Sequence, residues 1–493
     1  ASAFAAYATT YPRPGWAEQD PEAWWQSVCR STRQILAENP EAAARLAAIG
    51  FSAMMNGCLL VDGAGRPLRP AIIHADVRSA AQSERIAAVV GEERAYRITG
   101  NRVAPYFTLE KLAWLADHDP DALRRARWCV QTKDYVEGRL TGVWGVTDPS
   151  DASLTGAFDM EHGAWSGEML DAASIRAGLL PEVRPSMSVI GAVSEDAARE
   201  TGLRAGLPVV LGGGDGACAT AGAGVVTAGD AYHYLGGTSW VAAICGAYRP
   251  DPERRLSLFC ALDPERFVLY GTVQSAGSSV DWLRQAIGTG SPETDAEESH
   301  AALERLAASA PPGSHGLFFL PYLAGERSPI WDSAARGAFI GLTAAHTRAD
   351  LARAVFEGVA YALNSNLTAL ASAADVLGPI RALGGGMRMA VWRSILSAVY
   401  NRPLRPLQRL AEATACGAAM AAATAIGLCP NLADAAERFA PLGDEEVPDR
   451  AAAAVYARGF TFYQSLYPAL ADRFAALAAL RNHSGGDPGA AGR

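Results

Sequence analysis

In the stretch LPVVLGGGDGACATAGAGV, residues 207–225, an apolar run ends in three glycines and an acid follows at once. The run reads as a strand, LPVVLGGG, and the glycines let other backbone or a ligand come close to the chain. Asp215 therefore stands at a strand end with no side chains before it. Two chemistries fit such a turn. One is a dinucleotide loop: Gly212, Gly214 and Ala217 match the loose form G-x-G-x-x-[GA], with Asp230 about 20 residues on. That loop must hold a pyrophosphate against backbone N–H groups, where Asp215 would place a negative charge. The other is a catalytic carboxylate that reaches a substrate hydroxyl and acts as general base.

The remaining pattern is α/β. Residues 1–9 read as a strand, and Asp20 N-caps a helix that opens with Pro21 and Glu22 and runs to about Leu36. LAAIGFSAMM (46–55) reads as a buried strand, and 58–73 as two strands joined by a turn at Asp62-Gly63. Residues 79–140 are mainly helical. A second set of strands, within 231–245, 256–263 and 266–273, precedes helices at 347–374 and 411–426. Strands followed by helices, twice over, predict two α/β domains joined near residues 222–230. Near the C-terminus Tyr456, Phe460, Tyr463, Tyr467 and Leu470 recur at helical spacing, which predicts a helix with an aromatic stripe packed on a core.

Composition excludes several classes. The chain of 493 residues carries a net charge of −9 and no long basic run, which argues against nucleic acid or an anionic membrane as partner. No apolar stretch is long enough for a membrane span, and the N-terminus shows no secretory pattern. Eight cysteines and eight histidines are dispersed, with no C-x-x-C pair and no zinc-ligand spacing, so a reduced, cytoplasmic setting is expected. There are only two lysines, and Lys111 follows Glu110 while Lys133 follows Thr132. A P-loop, which needs lysine after glycine, is therefore excluded.

Two further glycine turns lie downstream. YLGGTSW (234–240) offers backbone and hydroxyl donors at Gly237, Thr238 and Ser239 that can bind phosphate oxygens. ALGGGMRMAVW (382–392) leads three glycines into a helix, a seat for the α-phosphate and the adenosine. With these in hand, YFTLEKLAWLADH (106–118) and GAFIGLTAAHTRADLARAVFEG (337–358) resemble the two signatures of the FGGY family of carbohydrate kinases, in the actin-like ATPase superfamily. PGWAEQDPEAWW, TKDYVEGRLTG, LPYLAGERSP and the final LYPAL are also typical of that family. The resemblance covers nearly the whole chain and is strongest to its xylulose kinase branch. The dinucleotide reading does not survive it.

The resemblance implies two ribonuclease-H-like domains with a deep cleft between them. An N-terminal sugar-binding domain would span 1–224 and a C-terminal ATP-binding domain 225–447. A C-terminal helix would follow at 448–480 and a disordered tail at 481–493. It implies ATP and Mg²⁺ as cofactors, Asp215 as catalytic base and as an indirect partner of the ion, and a homodimer as one possible assembly. Gly237, Thr238 and Ser239 correspond to the second phosphate loop, Gly277 to a glycine approaching the nucleotide, and Gly385, Gly386 and Met387 to the adenosine loop. Met55 and Asn56 fall where the family contacts the sugar. Asp76 and Arg78, in HADVR, either fix the sugar or form an ion pair within their domain.

Three departures qualify the substrate. Asn56 replaces the histidine, and Gly216 the asparagine, of the xylulose pattern, and a lost polar partner changes discrimination strongly. The family's first phosphate loop, a D-x-G-T-[ST] hairpin, is expected ahead of Ala1. The expected reaction is phosphorylation of a pentulose such as xylulose. The alternatives are another ketose, a polyol, a signalling furanone, or a catalytically silent nucleotide-binding pseudokinase.

Overall fold

The computed structural model describes residues 1–287, 296–376, 378–408 and 412–483. They form two compact units, neither continuous in sequence: Ala1–Ala228 with Ile244–Leu269 and Glu412–Pro441, and Gly229–Ala243 with Tyr270–Ala411 and Leu442–Arg493. The first unit thus takes in two segments that a linear division at residue 224 leaves to the other domain. Hydrogen bonds tie one of these in: Tyr96 Oη donates to the Leu256 carbonyl at 2.7 Å, and Asn101 Nδ2 to that of Leu258 at 2.8 Å.

In the first unit Asp20 caps the helix Pro21–Glu38 by accepting from the Glu22 amide at 3.0 Å. Trp24 and Trp25 on that helix are buried in a core with Leu59, Val61, Val209 and Leu211. Short strands bring the functional segments together. Ser52–Ala53 pairs parallel with Gly213–Gly214, and Ile49 bridges Val209. Leu59–Val61 pairs antiparallel with Trp128–Val130, and Cys58 bridges Ile72. Two sequence expectations change. No strand forms over 1–9; the isolated bridge comes one residue later, between Thr10 and Glu18, and extended chain without a ladder partner is not a strand. The expected strand 46–55 shrinks to Ser52–Ala53, because its parallel partner is interrupted at Gly212, whose φ is 63°.

The helix Asp215–Gly222 crosses the helix Ala413–Ala425 at a distance only glycine permits. A Cβ on Gly222 would strike the Ala413 carbonyl, and one on Gly417 the Cys218 carbonyl. Overpacking here forces backbone to move. Gly417→Ala is expected to cost ~1–3 kcal/mol, read as a lower urea midpoint. An unchanged midpoint would mean the helices separate freely.

The second unit carries the strands Ala231–Leu235, Ile380–Leu383 and Leu404–Pro406, with the greater part of Ser239–Cys245 and Phe267–Val273. Ala231–Leu235 pairs antiparallel with Ser239–Cys245 and parallel with Ile380–Leu383, so the glycine turns that follow Leu235 and Leu383 lie at the same end of the sheet. Helix Arg348–Ala373 opens on a capping box of Thr347 and Asp350. At its middle Glu357 accepts from Arg353 Nε and from Tyr456 Oη, each at 2.8 Å, which docks the C-terminal helix Arg450–His483. The aromatic stripe packs as its spacing predicts: Tyr456 and Tyr463 are buried, and Tyr361 meets Tyr456, Phe460 and Tyr463. Residues 484–493, most of the expected disordered tail, lie outside the described residues. Among the described residues no helix is long and apolar enough to cross a membrane.

Candidate active site

Each glycine before Asp215 is required by a different neighbour. Gly212 takes a left-handed φ against the Phe51 backbone. A Cβ on Gly213 would lie 2.6 Å from Leu262 Cδ2 and 2.8 Å from Ser150 Oγ, and one on Gly214 would strike Met55. The turn is thus packed on three sides while Asp215, the first residue of its helix, stays open to solvent. Asp215 Oδ1 accepts from the Gly216 amide at 2.8 Å. Although the residue reaches solvent, the protein crowded around its carboxyl strips water from it, which outweighs that bond and pushes its pKa up to about 6. That value suits a group that takes a proton near neutral pH.

Met55, buried against Gly214, and Asn56 follow the strand paired with the glycines. Asn56 adopts a φ of 62°, and its Oδ1 is buried with no hydrogen-bond partner among the described residues. The signature Lys111 holds this loop: fully buried, it donates to the carbonyls of Asn56 at 2.6 Å and Tyr106 at 2.8 Å. Burial draws its pKa down to about 8. Asp76 and Arg78 are committed to each other. Asp76 Oδ2 accepts from Arg78 Nη2 at 2.7 Å and from the Ala17 amide at 2.5 Å, and Oδ1 from Arg78 Nε at 2.9 Å. Both side chains are fully buried, and the guanidinium carbon lies 3.7 Å from the Trp16 ring centre. Of the two readings of this pair, the geometry supports the ion pair within the unit.

In the second unit a cavity of about 430 Å³ gathers Gly237, Gly277, Gly385 and Gly386, a volume in the range of small-molecule sites. Gly277 opens the helix Gly277–Ala286, and a Cβ there would lie 2.6 Å from the Gly236 carbonyl oxygen, so this close approach needs glycine. Thr238 Oγ1 donates to the Gln274 carbonyl at 3.1 Å. Ser239 is buried and turned back onto Gly236. Met387 is buried and does not line the cavity, whereas Arg388 and Met389 do. The sequence reading missed Asp281, His300 and Glu304 in the lining. Asp281 Oδ1 and His300 Nε2 are 2.8 Å apart, yet they lie on different helices and no spacing signals their meeting.

Residues 1–222 match the N-terminal domain, and residues 236–426 the C-terminal domain, of the FGGY family of carbohydrate kinases. The chain belongs to that family. The kinase is 33% identical to the xylulose kinase of Escherichia coli strain K12 over 464 residues, 93% of each chain. It is 31% identical to the gluconokinase of Bacillus subtilis strain 168 over 392 residues, 78% of this chain and 75% of that relative. The crystal structure of xylulose kinase from Rhodospirillum rubrum superposes with a TM-score of 0.88 at 32% identity, covering 95% of this chain and 93% of the other. The kinase therefore has the two-domain FGGY fold and phosphorylates a sugar.

Proposed function

We propose that this kinase transfers the γ-phosphoryl group of Mg·ATP to a hydroxyl of a pentulose, with xylulose the first candidate and Asp215 as general base. The observation that carries the role of Asp215 is its place: a solvent-open carboxyl with a pKa of about 6, on a turn whose glycines are filled by neighbouring atoms. Asp215 takes the proton of the attacking hydroxyl. The hydroxyl oxygen then forms a bond to the γ-phosphorus as the bond to the β–γ bridging oxygen breaks, leaving ADP. Met55 and the unpartnered Oδ1 of Asn56 are the sugar contacts in this reading. The Gly237–Ser239 turn and Gly277 take the phosphates, and Gly385 and Gly386 the adenosine, because the glycines lining that cavity carry no side chain to keep a nucleotide from the backbone. Mg²⁺ would come with ATP as the substrate complex and would supply charge neutralisation at the phosphates, with Asp215 as its indirect partner in this chain. Among the described residues no group of three or more acids, histidines or cysteines could hold a metal by itself. A cytoplasmic setting fits the eight free cysteines.

The likeness to a gluconokinase favours a second reading, a sugar acid as acceptor, and Asn56 and Gly216 leave room for it. ADP release with Mg·ATP against xylulose, ribulose, other ketoses, polyols and gluconate, with a no-sugar blank, tests both. The expected result is the highest kcat/KM for xylulose. A response to gluconate alone would replace the pentulose reading. A flat panel with ATP still bound would return the silent nucleotide-binding alternative.

A further inference from the structure

The buried charge cluster around Lys133, in the TKDYVEGRLTG segment, has no part in the reading above, yet it connects to the Asp215 turn through Asp148. Lys133 is fully buried, with Asp134 Oδ1 at 2.7 Å, Asp148 Oδ1 at 3.2 Å, Asp151 Oδ2 at 3.5 Å and Glu137 Oε2 at 3.9 Å. One oxygen of Asp148 thus faces the ammonium. The other, Oδ2, accepts from Ser150 Oγ at 2.5 Å and from Ser186 Oγ at 2.8 Å. A hydroxyl has one proton. Because Ser150 gives its proton to Asp148, its lone pairs are left to accept, and they take the Gly214 amide at 2.9 Å. The Ser186 backbone carbonyl takes the Gly212 amide at 2.9 Å. Both amides flanking Gly213 are therefore fixed from one carboxylate, and Gly214 is the N-cap residue of the helix that Asp215 begins.

We infer that Asp148, oriented by Lys133, is a positioning residue that sets the place of Asp215 through Ser150 and Ser186. The inference rests on the reading of Asp215 as base. Its physical basis is that Ser150 Oγ also lies where a Gly213 side chain would be, so the hydroxyl both fills the turn and anchors it. The bond is directional because Asp148 dictates which way the hydroxyl proton points. A displaced carboxylate loses reaction geometry without losing nucleotide contacts, which lie on other segments.

Ser150→Ala, Ser150→Thr and Ser186→Ala test this by steady-state ADP release and by amide hydrogen exchange over residues 213–215. Ser150→Ala is expected to lower kcat ~10–100-fold with KM for ATP within about twofold, and to speed exchange at Gly214. Ser150→Thr keeps the oxygen and is expected to restore most of kcat. Ser186→Ala keeps its backbone carbonyl, so Gly212 stays held and kcat falls less than in Ser150→Ala. Wild-type kcat and exchange in Ser150→Ala would overturn the inference, as would equal losses in Ser150→Ala and Ser186→Ala. Asp215→Asn run alongside separates the two layers. An inactive Asp215→Asn beside an unaffected Ser150→Ala removes only the positioning role. An active Asp215→Asn removes the base itself.

Discussion

Asp215→Asn is expected to lower kcat by about 100- to 10,000-fold while ATP binding stays within about twofold of wild type. Asparagine keeps the shape of the side chain and an oxygen that can accept from the Gly216 amide, so the turn keeps its bond. What it lacks is a site for the substrate proton. The pH profile gives a second reading of the same group. With the carboxyl at about 6, wild-type kcat/KM is expected to be level above that value and to fall about tenfold per pH unit below it, as the base becomes protonated. Stability gives a third. The folded carboxyl titrates about 6 and the unfolded one near its usual value of about 4. Between these the folded state holds a proton that the unfolded state has lost, so this group's contribution to stability declines as pH rises through that window. The asparagine variant escapes that decline and is expected to be at least as stable as wild type at pH 7. Loss of turnover in a stable, ATP-binding variant assigns the base; near-normal turnover removes Asp215 from the chemistry.

The parts of this site that were legible in the sequence are those where backbone must come close. Three glycines before an acid are costly unless something occupies their side-chain space, and Phe51, Ser150 and Met55 do so. The rarity of lysine likewise pointed to Lys111, whose buried ammonium holds the Asn56 loop. Other parts were not legible because tertiary packing decides them. The role of Asp76 turns on the Ala17 amide, 59 residues away, which no spacing reveals. His300 and Asp281 meet only because two helices pack. The segment TKDYVEGRLT carries the charge of an exposed helix, and by composition it belongs on the surface. In the fold almost all of it is buried, because its charges neutralise one another around Lys133 instead of meeting water. A buried polar helix and an exposed one have the same amino-acid pattern; only the partners differ.

That burial makes Lys133→Met the substitution with the largest expected effect on stability, a loss of ~3–5 kcal/mol by removal of one partner from a buried charge cluster. Four carboxyl groups surround one ammonium. Burial, with repulsion from the neighbouring acids, pushes Glu137 and Asp151 well above the usual carboxylate range. The lysine opposes that shift, and its own pKa is raised well above normal by the four acids despite burial. Without it Glu137 and Asp151 must become harder still to ionise. The unfolded chain meanwhile ionises these two at their usual values, so the folded state binds more protons than the unfolded state. Stability then falls as pH rises above the usual carboxylate range. The destabilisation by Lys133→Met is therefore expected to be smaller at pH 5 than at pH 8, measured as the difference in urea midpoints between variant and wild type. A hydrophobic residue of similar length restores packing but not charge, so a pH-independent loss would point to packing alone. A loss below about 1 kcal/mol at both pH values would mean that the ammonium does not hold the acids together. The outcome also bears on turnover, because Asp148 is the link between this cluster and the Ser150 hydroxyl under Gly214. At pH 5, where the variant is expected to stay folded, its kcat relative to wild type should fall with KM for ATP unchanged. A carboxylate freed from its ammonium no longer has a fixed orientation to pass on.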